Sequence, residues 1–116
     1  MEEVGGVGGE VREGRPPREA TFVIGEHGIM LDVDAAAAAL LGYTRDELIG
    51  QHGSMLIPRE AQPATAASLD RMARGEIAFR TGRLLHRDGT IIVADVRARR
   101  RPDGYLTLVV RPRPVD

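Results

Sequence analysis

"LLGYTRDELIGQ", residues 40 to 51, places a helix stop, a helix start and a second stop within one short stretch. An Ala-rich apolar run ends at Gly42, the residue type that best tolerates the left-handed geometry just past a helix. Thr44-Arg45-Asp46-Glu47 then follows the capping-box pattern: Thr44 accepts from a backbone N–H of the first turn, and the Glu47 side chain reaches back to the N–H of Thr44. Leu48 and Ile49 are left to pack inward before Gly50. The stretch predicts two short helices set end to end across a sharp corner.

Upstream, "TFVIGEHGIMLDV" (Thr21 to Val33) sets two apolar runs around Gly25-Glu26-His27-Gly28, with glycine where a hairpin needs positive φ. Strands are predicted over about residues 21–25 and 29–33. Asp34 is a good N-cap for "AAAAALL", a helix of barely two turns. Downstream, an irregular turn spans Ser54 to Pro58, and a longer helix runs to about Arg74, with Pro63 in its first turn and Gly75 as its stop. Ala66, Leu69, Met72 and Ala73 recur along it at helical spacing. The last third, "EIAFRTGRLLH", "TIIVADVRARR" and "YLTLVVR", is joined through Asp88-Gly89 and Asp103-Gly104 and predicts a three-stranded antiparallel meander. Two strands, several short helical pieces and three strands make an α+β chain, one antiparallel sheet with helices on one face. Residues 1–20, Gly-rich and without periodicity, are expected to be a flexible tail, residues 21–112 the domain, and 113–116 a C-terminal tail.

A chain of 116 residues holds one domain and one core. Its formal net charge of -1 supplies no overall field to draw nucleic acid or an anionic membrane, so neither is expected as a partner. Every basic residue is Arg and none is Lys, which reads as genomic base bias rather than recognition chemistry. The absence of Cys removes disulfides, thiolate metal sites and cysteinyl adducts. No apolar run approaches the ~20 residues of a membrane span and no signal-peptide pattern opens the chain, so a soluble, cytoplasmic protein is expected.

The chain resembles the PAS domain family through "GIMLDVDAAAAALLGYTRDELIGQ" (Gly28 to Gln51), "LIP" (Leu56 to Pro58) and "HRDGTIIVADV" (His86 to Val96). These match the family's strand-to-helix passage, its Gly-Tyr-Thr/Ser-x-x-Glu-Leu-Ile-Gly segment, its Pro before the long helix and its Asp-Gly hairpin. The resemblance covers residues 21 to about 111. It implies a five-stranded antiparallel sheet in the order 2-1-5-4-3, a wall of short helices over one face, and in many members a small-molecule cavity between. It implies as well a sensory or interaction module of signalling proteins such as histidine kinases, diguanylate cyclases and transcription regulators. Asp34 replaces the family's common Asn but caps equally well. Family members commonly leave the last strand through an Asp-Ile-Thr-like exit into a signalling helix, whereas Pro112 and Pro114 forbid a continuous helix here. Either the effector has been cut away from this chain or the domain acts alone on a partner protein.

The family's cofactors find no matching residues. The helix "REAQPATAASLDRMARG" lacks the His of haem-binding members, Gly53 stands where LOV-type flavin members carry Cys, and a coumaroyl chromophore also requires Cys. Noncovalent flavin has no positive support in a chain with no Trp and only two Phe. No cofactor is expected, and the purified protein should be colourless. His27, His52 and His86 lie on different elements without metal-site spacing. His52 falls in the segment that borders the pocket in the family. Arg97, Arg99, Arg100 and Arg101 read as a solvated sheet edge rather than an anion clamp.

Inward alternation and helical spacing give Leu31, Val33, Leu40, His52, Leu56, Leu69, Met72, Ile92, Ala94, Leu108 and Val110 as candidate pocket residues, all of which would equally serve as plain core. The Ala run likewise has two readings, close packing against the sheet or space left for a cavity. Phe79, Leu85, Ile91 and Val93 are the candidates for an apolar outer sheet face and a homodimer. No nucleophile with a base, phosphate loop or carboxylate dyad points to an enzyme. Two functions stand: a sensor of a small, weakly polar ligand, and a ligand-free dimerisation or docking module.

Overall fold

The structure, a computed structural model, describes residues 19–114; most of the expected N-terminal tail and the last two residues lie outside the described residues. Strands β1 (Ala20–Ile24) and β2 (Met30–Val33) lead into helices α1 (Ala35–Leu41), α2 (Arg45–Leu48) and α3 (Gln62–Ala73), followed by β3 (Phe79–Leu85), β4 (Ile91–Arg100) and β5 (Leu106–Pro112). Short 3-10 turns occupy Glu26–Gly28, Gly53–Leu56 and Arg59–Ala61. The strands form one antiparallel sheet in the order β2-β1-β5-β4-β3, as the resemblance implies. The first and last strands are thereby paired at its centre.

β1 begins at Ala20, inside the stretch expected to be tail. Ala20 is fully buried and pairs with Val110. That pairing is tertiary, and a single Ala after a Gly-rich segment carries no local strand signal. The β1–β2 hairpin also departs from simple alternation. Phe22 pairs with Val33 and Ile24 with Met30, so the register shifts between Val23 and Ile24 and leaves one extra residue in β2. Met30 and Val33 both turn inward, while Leu31 is exposed and folds its side chain over Gly25.

The corner forms as the sequence predicts. Asp34 Oδ1 accepts from the Ala37 N–H at 2.8 Å and also from the Thr21 N–H at 3.1 Å, which fixes the start of α1 to β1. Gly42 ends α1 at φ 81°, and Thr44 with Glu47 forms the complete capping box. The outside of the corner receives the β3–β4 hairpin. The Arg87 N–H donates to the Leu41 carbonyl at 3.0 Å, its guanidinium to Glu47 Oε1 at 2.8 Å, and its charge lies 5.3 Å from the centre of the Tyr43 ring. A Cβ on Gly42 would stand 2.5 Å from the His86 ring, so glycine is required there for closeness as well as for φ. On its other side the Arg45 guanidinium donates to the Val33 carbonyl at 3.1 Å and to Asp32. Inside, the corner supplies Leu41 and Leu48, which with Met30 are the largest fully buried side chains. Its function is to join hairpin, helices and β2 around one core.

Candidate functional site

A cavity of about 120 Å³ lies between α3 and the sheet. Phe22, Ile24, Val96, Leu108 and Val110 form its floor, and Thr65, Ala66, Leu69 and Met72 of α3 form its roof. Met30, Leu56 and Ile57 close one end beside His52. The cavity exists because α3 leans lightly on the sheet. Met72 is its sole buried residue, while Ala66 and Ala67 are exposed and Leu69 is half-buried. A helix with so little apolar burial gains little from packing on the sheet. Gly82 on β3 and Gly53 also belong to the wall, where Gly82 lies beneath the Arg80 guanidinium.

The polar atoms of the lining are few. Gln62 spends its amide nitrogen on the carbonyls of Ser54 and Ile57, at 3.1 and 3.2 Å. His52 Nδ1 caps the following turn by accepting from the Ser54 N–H at 3.0 Å, and its ring packs against Gly28. Arg83 on the rim is paired with Glu60 at 3.3 Å. Arg80 crosses from β3 to α3, its Nη1 donating to Ser68 Oγ at 2.8 Å and approaching the Ala64 carbonyl at 3.4 Å.

Of the residues expected to line a pocket, the structure brings together His52, Leu56, Leu69, Met72, Leu108 and Val110 on the cavity wall. Five others lie elsewhere. Leu31 is turned out by the hairpin bulge. Val33 is buried core, and Leu40 and Ile92 pack against that core without reaching the cavity. Ala94 is fully buried but off the wall: its side chain is a single methyl, flanked by Gly82 and Pro112 on the neighbouring strands. The Ala run resolves to close packing, with Ala37 and Ala38 buried and neither lining the cavity. Arg80, Gln62 and Gly82 were missed. The signal for Arg80 was present in alternation, since it shares an inward face with Gly82 and the buried Leu84.

The remaining expected residues are placed as follows. His27 is exposed in its turn, and the His86 ring covers Gly42. Arg97, Arg99 and Arg100 are exposed along β4, and Arg101 is paired with Asp103 at 2.9 Å. Phe79, Ile91 and Val93 are exposed on the outer sheet face, and Leu85 is half-buried.

The family model described as the PAS fold matches residues 18–113. The chain belongs to the PAS family. PAS domains are sensory modules typical of signalling proteins, and the solved structures similar to this PAS domain include several from such proteins. One is a domain of a sensory box sensor histidine kinase/response regulator from Geobacter sulfurreducens, 28% identical, with a TM-score of 0.73 over 82% of this chain and 83% of that one. A PAS domain from Desulfitobacterium hafniense is 20% identical, with a TM-score of 0.75 over 83% and 93% of the two chains. The PAS domain of the RpfR quorum-sensing receptor from Cronobacter turicensis, solved with C12:0, is 14% identical with a TM-score of 0.75, covering 90% of this chain and all of that one. No curated protein matches the sequence. Among the described residues, no helix is long and apolar enough to cross a membrane.

Proposed function

We propose that this PAS domain is a sensor whose ligand, a small and mainly apolar molecule, occupies the cavity between α3 and the sheet. The observation that carries the reading is the cavity itself, about 120 Å³ with predominantly aliphatic walls, roofed by a helix that buries only Met72. A concave, mainly apolar pocket with a few polar groups in its wall is the usual form of a small-molecule site. The likeness in fold to the RpfR PAS domain, solved in complex with BDSF and with C12:0, supports a ligand-binding reading of this domain. Occupancy would press α3 and the sheet into one packed unit and so alter what the domain presents to an effector. Neither haem nor flavin enters this reading, and the purified protein is expected to be colourless.

Thermal melts with octan-1-ol test it. Saturating ligand should raise the wild-type Tm, the stabilisation reaching about 2.7 kcal/mol at a hundred times Kd. Leu69→Trp, which fills the roof, should abolish the shift. A wild type that melts unchanged with octan-1-ol and with octanoate alike would leave the ligand-free docking module as the better account.

The outer sheet face supports a further role for the same domain, self-association. Phe79, Ile91 and Val93 are 53%, 42% and 43% exposed, large apolar groups spaced along the outer face of the β3–β4 pair. A second copy of the chain is the occupant proposed for that face, since a net charge of -1 gives two copies almost no mutual repulsion.

A further inference from the structure

We propose that the ligand carries a single carboxylate, held by Arg80, at the end of its apolar body. This rests on the sensor reading above and specifies the chemistry of the molecule sensed. Arg80 is half-buried on the inner face of β3, among groups that are mostly aliphatic. A cation partly withdrawn from water needs a counter-charge or strong acceptors. What it has among the described residues is neutral: Ser68 Oγ at 2.8 Å, the Ala64 carbonyl at 3.4 Å and, through Nε, the Thr81 carbonyl at 3.4 Å. Nη2 makes no hydrogen bond among the described residues. Arg83, three residues along the same strand, shows the contrast, since Glu60 neutralises it on the rim.

The Arg80 guanidinium lies over Gly82, and both residues line the cavity. A Cβ on Gly82 would lie 3.5 Å from both Nε and Nη2 of Arg80, so the planar group rests over a residue with no side chain, and any longer residue there would stand beside it. The N–H groups of a guanidinium form a fork matched to the two oxygens of a carboxylate. With Arg83 already paired, one positive charge is available, which suits a monoanion better than a dianion. Leu69, Met72, Phe22 and Leu108 then receive the apolar remainder.

Calorimetric titration with octanoate and with octan-1-ol, equal in chain length and differing in the head, tests the assignment. Wild type should bind octanoate roughly tenfold or more tightly than octan-1-ol, the usual return on a charge-assisted hydrogen bond. Arg80→Met should level the two probes while retaining octan-1-ol. Arg80→Gln, which keeps a donor for Ser68, should do the same and serves if Arg80→Met does not fold. Equal affinities in wild type, or a preference that survives both substitutions, would overturn the carboxylate while leaving the sensor reading in place. Binding of neither probe by wild type would overturn both.

Discussion

Glu47 does two jobs with one carboxylate, accepting from the Thr44 N–H at 2.8 Å and from the Arg87 guanidinium at 2.8 Å. The Thr44 N–H, followed by Arg87, holds its carboxyl below the usual glutamate range. A carboxyl whose folded-state pKa is depressed contributes stability above its unfolded pKa and loses that contribution as pH falls through the folded value. Thr44→Ala should therefore cost about 1 kcal/mol at neutral pH, while Glu47→Gln should cost less, and the two losses should not add. The gap between wild type and Glu47→Gln should close as the pH is lowered through the acidic range of Glu47. Urea denaturation at a series of pH values checks this, and a gap independent of pH would mean that the ionised carboxylate contributes nothing. The cap was legible because Thr44 and Glu47 are three residues apart and need only each other. The Arg87 partnership was not, because it joins positions 40 residues apart that only the folded sheet brings together.

Element by element, alternation predicted which face a strand residue occupies but not which end of that face. Leu108 and Val110 reach the cavity, whereas Ile92, beside the β3–β4 hairpin, points inward into the core at the opposite end, where the α1–α2 corner is docked. Nor does alternation foresee a bulge, and the extra residue in β2 reversed Leu31. The close-packed and open parts of the core are separable by mutation. Ala94 is fully buried between Gly82 and Pro112, so Ala94→Leu should cost roughly 1 to 3 kcal/mol through overpacking. Ala66→Leu, on the exposed cavity roof, should stay within about 0.5 kcal/mol of wild type. Denaturation midpoints compare them directly; an Ala94→Leu protein as stable as wild type would place unfilled space under the middle of β4.

At the scale of the whole molecule, the sheet has two unlike faces. The inner one carries the core and the cavity, and the outer one is left open by helices that all pack on the other side. The outer face mixes apolar groups with charge: Val93 lies opposite Arg83, Phe79 opposite Arg97, and Thr81 beside Asp95. A surface of that composition remains soluble in the monomer yet buries apolar area when two copies meet. Val93→Glu separates association from folding. In the monomer the new carboxylate would stand at an exposed strand position and stay solvated, which the sheet accommodates. In a dimer packed through this face it would be buried against a second apolar surface, at a cost that disfavours association. Light scattering over micromolar concentrations should report a dimer for wild type and a monomer for Val93→Glu, with unchanged far-ultraviolet circular dichroism. A wild type that is monomeric throughout, or a Val93→Glu protein that remains dimeric, would show that the outer face is not where copies of this chain meet.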